Sequence, residues 1–226
     1  VYKNIIVTLK KDVPVENNIH EFELKTIDSE KKSMNQLLEG SKITIQESQA
    51  GGGSPNFRGM EANRLLLVLD GIPLNNIIYR SGHIQASATI SPFFLESIGV
   101  VSGPASVVFG DGSLGGALLF NTHSPKFNAK NKHYLHQKFE NSSNAVITNY
   151  MGFYSNKKIS LISGLSIKSC NNLRMGRNRK HGYENWGKES ISTDGNEQLF
   201  TNYNQTDFIQ KIKIKINDNA NLLFNT

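Results

Sequence analysis

The sequence predicts an α+β domain over residues 1–126, followed over residues 127–226 by the first antiparallel strands of a transmembrane β-barrel. Three observations carry that expectation. Two glycine-punctuated blocks, SPNFRGMEANRLLLVLDGIPL at Ser54 to Leu74 and GPASVVFGDGSLGG at Gly103 to Gly116, set short strands beside short helices. After Pro125 the pattern becomes strictly period-two. No apolar run approaches the roughly eighteen residues a membrane-crossing helix needs, which leaves strands as the only candidate spans.

In the first domain Val1 to Leu9 and Phe22 to Ile27 are candidate strands. Ser33-Met34-Asn35-Gln36 forms a capping-box pattern that opens a helix through Leu37 and Leu38, with Gly40 as its stop. Ile43 to Gln46 reads as a strand. Leu65 to Leu69 is a continuous apolar run too short for a typical helix, and Asp70-Gly71 suits the positive φ angles of a type I′ turn. A buried strand turning back on Ile72 to Leu74 follows. Ser91-Pro92 is expected to start a short helix carrying Phe93, Phe94 and Leu95, ahead of a strand at Ser97 to Val101. Pro104 after Gly103 suits a first helical position, Ala105 to Phe109 makes a turn or two, and Gly110 offers a left-handed stop. Ala117 to Thr122 closes the set. Such alternation is that of a small α+β domain with one modest core.

Beyond Pro125, Ile212, Ile214 and Ile216 alternate with Lys211, Lys213 and Lys215, while Ile159, Leu161, Leu165 and Ile167 alternate with polar neighbours. Strands are expected at 132–140, 145–154, 158–169 and 206–217, with a fifth entering at Asn221. About ten alternating residues suffice to cross a bilayer at a tilt, although a soluble sheet with one wet face shares the pattern. Connection lengths favour the barrel. The links near 141–144, 155–157 and 217–220 are short and the one from 170 to 205 is long, in the order that gives short periplasmic turns and a long external loop.

Composition narrows the function classes. Net charge is +6, but the basic residues are scattered without the stripe that nucleic acid requires. The single cysteine, Cys170, reads as a loop residue and excludes an internal disulfide or a cysteine zinc cluster. No G-x-S-x-G elbow or convergent carboxylate pair points to an enzyme. Gly110 to Gly115 fits G-x-G-x-x-G, yet a short helix precedes it, a strand follows it, and no acidic residue lies about twenty positions on, so a dinucleotide site is not expected. Tight turns explain Gly110, Gly112, Gly115 and Gly116 better. His133 and His136, three apart on one strand, face opposite sides and cannot chelate one ion. No intrinsic cofactor or metal site is expected.

The two blocks resemble the plug domain of TonB-dependent outer-membrane receptors. Ser33, Leu37 and Leu38 fit the family's helix-opening S-x-x-x-L-L, and Ile45-Gln46 fits its I/V-Q. Gly51 to Gly53 and Phe57-Arg58-Gly59 fit the glycine run and F-R-G. Asn63 through Asn76 fits N-R-x-L-L-L-V-D-G-x-P-L with N-N, and Glu96 to Gly116 fits the closing block through Gly103 and Pro104. The resemblance covers about residues 1–126; the remainder resembles the first barrel strands in pattern only. It implies a plug inside a 22-stranded barrel of which this chain holds a piece, with export and energy-coupling segments lying elsewhere. It also implies a Gram-negative outer-membrane receptor and transporter in contact with outer-membrane lipid. TonB is then the energy-coupling partner, through an N-terminal segment missing here, and a scarce solute such as haem or a ferric siderophore is the cargo. A non-transporting adhesion or structural barrel, or a soluble plug-like binding module, is the alternative.

The resemblance also assigns residues. Family plugs are held partly by arginines paired with barrel carboxylates, which suits the guanidinium fork, and Arg58 takes that role here. Ser102 and Gly99 stand where the family usually has Arg and Glu, so the latch is expected to be weaker or differently placed. The segment NNIIYRSGHIQ is similar to the matching stretch of haemin receptors, some of which place a haem-binding histidine on the plug. By that likeness His83, helped by Tyr79 and Arg80, is the candidate cargo contact, as an axial ligand with Arg80 near a propionate.

Overall fold

A computed structural model describes residues 5–6, 19–23, 34–38, 43–46, 53–60, 64–74, 89–102, 106, 108–110, 112–174 and 197–226. Among the described residues the strands are β1 (Ile5–Ile6), β2 (Ile19–Glu23), β3 (Ile43–Gln46), β4 (Ser54–Phe57), β5 (Leu65–Leu69), β6 (Ile72–Pro73), β7 (Leu95–Val101) and β8 (Gly116–Thr122), then β9 (Lys132–Glu140), β10 (Ala145–Ser155), β11 (Ile159–Cys170), β12 (Leu173–Arg174), β13 (Glu197–Gln198), β14 (Tyr203–Lys215) and β15 (Asn221–Asn225). A short helix, α1 (Met34–Leu37), precedes β3 among the described residues.

The first domain is built on a mixed sheet of order β2-β7-β8-β5-β6, with β5 and β8 parallel and the other neighbours antiparallel. β5 reads as an unbroken apolar run because both its faces are covered. Leu65 and Leu67 join one core cluster with Leu38, Phe57, Leu95, Ile98, Leu118 and Phe120, while Leu66 and Val68 pack with Val101 and Ala117 behind them. Burying each such side chain contributes about 1.5–3 kcal/mol. α1 adds Met34 and Leu38 to the first cluster, and the β3–β4 hairpin adds Ile43, Ile45 and Phe57.

The turn chemistry is as expected at Asp70-Gly71. Both residues have positive φ, 49° and 84°, and the Leu69↔Ile72 pair closes a two-residue loop of the primed kind. Gly116 must be glycine for two reasons: its φ is 140°, and a Cβ there would lie 2.7 Å from the Val101 carbonyl. Pro92–Phe94 makes a single 3-10 turn, and Leu95, expected in that helix, instead begins β7. Ser106, Val108 and Phe109 lie in 3-10 conformation where a short helix was expected. Ser33, Gly40, Gly103 and Pro104 lie outside the described residues.

The second sheet is a meander of order β9-β10-β11-β14-β15, antiparallel throughout and open at β9. Its strands run as the period-two pattern predicts, with ends shifted by at most three residues. Cys170 is the buried last residue of β11 and a free thiol, where the sequence suggested a loop. The register places it on the inner face, opposite Tyr203 of β14. The N-terminal strand also differs from expectation. Ile5–Ile6 pairs with Phe224 and Leu223 of β15 and takes no place in the first domain's sheet.

The faces of this sheet are chemically distinct. One packs on the first domain and is called the inner face. The other exposes Leu135, Phe139, Val146, Tyr150, Tyr154, Ile159, Leu165, Ile167 and Phe208. On that outer face Tyr150 covers Gly152, whose added Cβ would lie 2.8 Å from the Tyr150 hydroxyl, and the hydroxyl lies 2.9 Å from His133 Nδ1. An aromatic ring thereby fills the gap that glycine leaves in a strand. The short turns at 156–158 and 216–220 share one end of the sheet, and the long link between β11 and β14 leaves from the other.

Candidate functional site

The two sheets meet along the inner face, and three layers of side chains build the junction. The apolar layer comes first. Phe93 and Phe94, carried by the 3-10 turn, cluster with Met151 of β10, Ile162 of β11 and Ile209 of β14. Gly164 supplies the notch for Phe94. A Cβ at Gly164 would meet Phe94 Cε1 at 2.7 Å and Ile209 Cγ2 at 2.6 Å, so the strand must be bare there for the ring to seat.

A polar layer lies one residue pair further along the strands. His136, Asn149, Ser166 and Asp207 stand directly opposite one another across β9, β10, β11 and β14, and therefore share the inner face. The Ser166 hydroxyl donates to Asn149 Oδ1 at 2.7 Å, and Ser91 of the first domain donates to Ser166 Oγ at 3.3 Å. His136 Nδ1 is buried without a hydrogen-bond partner.

The third layer is ionic. Asp70, at the tip of the β5–β6 hairpin, lies 2.9 Å from the Lys211 ammonium of β14. Its carboxylate also accepts the Thr122 N–H at 2.9 Å, the Thr122 hydroxyl at 2.7 Å and the Asn225 amide at 3.3 Å. Lys211 donates again, to the Thr122 carbonyl at 3.4 Å. Lys211 is only 4% exposed, and the Asp70 carboxylate and the Thr122 carbonyl offset the cost of taking its charge out of water.

The connection into β9 continues this layer. The Ser155 and Ser160 hydroxyls both donate to the Lys126 carbonyl, at 2.7 and 3.1 Å. Lys126 pairs with Glu96 at 3.0 Å. Burial alone would raise the Glu96 carboxyl, but Lys126 and the Ser124 N–H hold it below its ordinary value. His123 sits edge-on to Phe153, with ring centroids 5.4 Å apart, and its buried Nε2 has no hydrogen-bond partner. Burial pushes its pKa down, against the pull of Glu96 and with the repulsion of Lys211 and Lys126.

The sequence-derived candidates are distributed as follows. Arg58, the expected plug–barrel contact, occupies an exposed turn with φ 54°, its guanidinium 5.0 Å from the Phe57 ring centre. Among the described residues it has no ion-pair partner. Asp70, Gly71, Gly110, Gly112 and Gly116 have positive φ, whereas a Cβ on Gly115 would lie 2.7 Å from Met60 Sδ. His83, Tyr79 and Arg80 lie outside the described residues. Sequence reasoning missed Asp70 as an interface anchor, and with it Lys211, Ser91, Phe94, Gly164 and His123. Only Lys211 gave a signal, as one of the lysines that alternate with isoleucines along the strand. Among the described residues no three His, Cys, Asp or Glu gather as a metal site.

Comparison with known proteins bears on this arrangement. Residues 16–117 match the family described as TonB-dependent Receptor Plug Domain. The chain is 28% identical over 135 residues to Heme/hemopexin utilization protein C of Haemophilus influenzae (strain 86-028NP), covering 56% of this chain and 18% of that protein. The FrpB iron transporter of Neisseria meningitidis superposes with a TM-score of 0.70 at 15% identity, over 92% of this chain and 31% of that one. A ferric enterobactin receptor variant (PfeA) from Pseudomonas aeruginosa gives 0.64 at 15% identity, over 92% and 32%. At such identities the structural likeness speaks for the fold. The chain spans under a fifth of the Haemophilus relative and about a third of each of those two structures.

Proposed function

We propose, from the match of residues 16–117 to the TonB-dependent receptor plug domain family, that the protein to which this chain belongs is an outer-membrane receptor that imports a scarce, iron-bearing solute. The supporting observation is the two-faced second sheet. Its outer face is an apolar band and its inner face holds the plug through the Phe94, Ser91 and Asp70 contacts. A sheet with lipid on one side and a plug on the other is what a plugged barrel requires, because every strand must hide its polar groups from hydrocarbon. On this reading the short turns face the periplasm and the long link is external.

Cargo bound at the external side shifts the plug's conformational population, and TonB draws on the shifted plug. Haem or a ferric siderophore is the cargo, in keeping with the Haemophilus relative's printed name. His83 with Tyr79 and Arg80 contacts it. The direct test is deletion of the full-length gene, followed by growth on haemin or ferric siderophores as defined iron sources. Loss of growth on one of them, restored by the gene in trans and dependent on TonB, supports import. Normal growth on every source together with reduced attachment to surfaces would instead favour a non-transporting barrel.

A further inference from the structure

The barrel strands separate charge completely. In β9, β10, β11, β14 and β15 every lysine and carboxylate falls on the inner face by strand parity and register, two lysines from β9, one from β11 and three from β14 against Glu140 and Asp207. Glu140 is already paired with Lys138 at 2.6 Å, and Asp207 accepts from Gln205 at 2.8 Å. The positive excess therefore concentrates on β14, where Lys211, Lys213 and Lys215 form one rail with about 7 Å between neighbours.

Each member of that rail has a partner. Lys211 is held by Asp70, which belongs to the plug. Lys213 has an aromatic face, its ammonium lying 5.3 Å from the Phe127 ring centre. Lys215 meets Asp218, a 93% exposed residue of the short turn. Movement of the hairpin away from the wall removes Asp70 and leaves three ammonium groups in line, running from the plug contact to the short-turn end. A low-dielectric wall carrying one sign of charge focuses its field and concentrates the opposite ion.

We propose that the Lys211–Lys213–Lys215 rail is an exit path for an anionic metal chelate, and that Asp70 caps its first position while the plug is seated. The ligand class is a chelate with free carboxylates or comparable anionic oxygens. This deepens the import reading and rests on it.

Two measurements on the full-length receptor decide the matter. In planar bilayers with the plug loosened by urea, the reversal potential in a potassium chloride gradient reports chloride against potassium permeability. Lys213→Gln with Lys215→Gln lowers that ratio several-fold, and the matching Arg pair, which keeps the charge, leaves it in place. In cells, uptake of haemin falls about 10-fold in the Gln pair with surface binding unchanged, while uptake of its dimethyl ester, which lacks free carboxylates, does not change. An unaltered permeability ratio in the Gln pair, or an Arg pair as defective as the Gln pair, overturns the proposal. Wild-type cells that import neither haemin nor any ferric chelate would instead defeat the import reading, and the permeability ratio would still judge the rail.

Discussion

The Asp70 carboxylate and the Lys211 ammonium, 2.9 Å apart, tie the tip of a plug hairpin to the inner wall of a barrel strand. Asp70 also accepts two hydrogen bonds from Thr122 and one from Asn225, so both domains converge on a single carboxylate. Breaking one side of a buried pair strands the other charge, at a cost of about 3–5 kcal/mol. Asp70→Asn and Lys211→Met should each lower resistance to urea by that order, whereas the double variant should lose less than the sum. Equilibrium denaturation of the full-length receptor with a double-mutant cycle checks the coupling; additive losses would show the two side chains to be independent.

The Phe94 ring and Gly164 form a knob and a notch. Gly164→Val should cost about 1–3 kcal/mol through overpacking and lift the 91–95 segment from the wall. Limited proteolysis reads the lifting directly. Adding Phe94→Leu should recover part of the loss, since a smaller side chain leaves room for the new methyls. Cleavage unchanged in Gly164→Val would mean that the notch does not position the turn.

Seating of the plug should weaken in mild acid. The His123 pKa is pushed below its ordinary value by burial, with Lys211 and Lys126 adding to the effect and Glu96 opposing it. The unfolded or unseated chain therefore binds the extra proton first. Stability contributed by the neutral ring is complete above the ordinary imidazole value of about 6.5 and is lost as pH falls below it toward the depressed value. Urea midpoints recorded from about pH 8 to about pH 5 should fall, and His123→Phe, which keeps the edge-on contact with Phe153, should flatten that slope.

Cargo contact by His83 predicts a spectral result. Haemin added to the full-length receptor should give a shifted Soret band that His83→Ala abolishes, with affinity weakened at least about 10-fold, or about 1.4 kcal/mol. Identical spectra and affinities in the two proteins would remove His83 from the cargo site.

Much of this molecule could be read without coordinates. Ile43 to Gln46, the Asp70-Gly71 turn and the five long strands all stand where local pattern places them. Period-two alternation also assigned Lys211, Lys213 and Lys215 to one face before any contact was known. Such features depend on a residue's immediate neighbours: the backbone angles a turn demands, and the pleat that sends successive side chains to opposite sides. The 3-10 turn at Pro92–Phe94 was less legible because it is too short to show a period, and Leu95 was drawn into β7 by its pairing with Thr122.

The amino-acid order by itself determined the main strands of the second sheet, the Asp70-Gly71 turn and the shared side of Lys211, Lys213 and Lys215. Only the tertiary structure decided that Asp70 meets Lys211, that Phe94 needs Gly164 and that His123 sits half-buried, edge-on to Phe153. Those pairings join residues far apart in the chain, so they depend on how two separately patterned sheets dock. An aspartate in a tight turn and a lysine on a strand look ordinary until the fold brings them within reach.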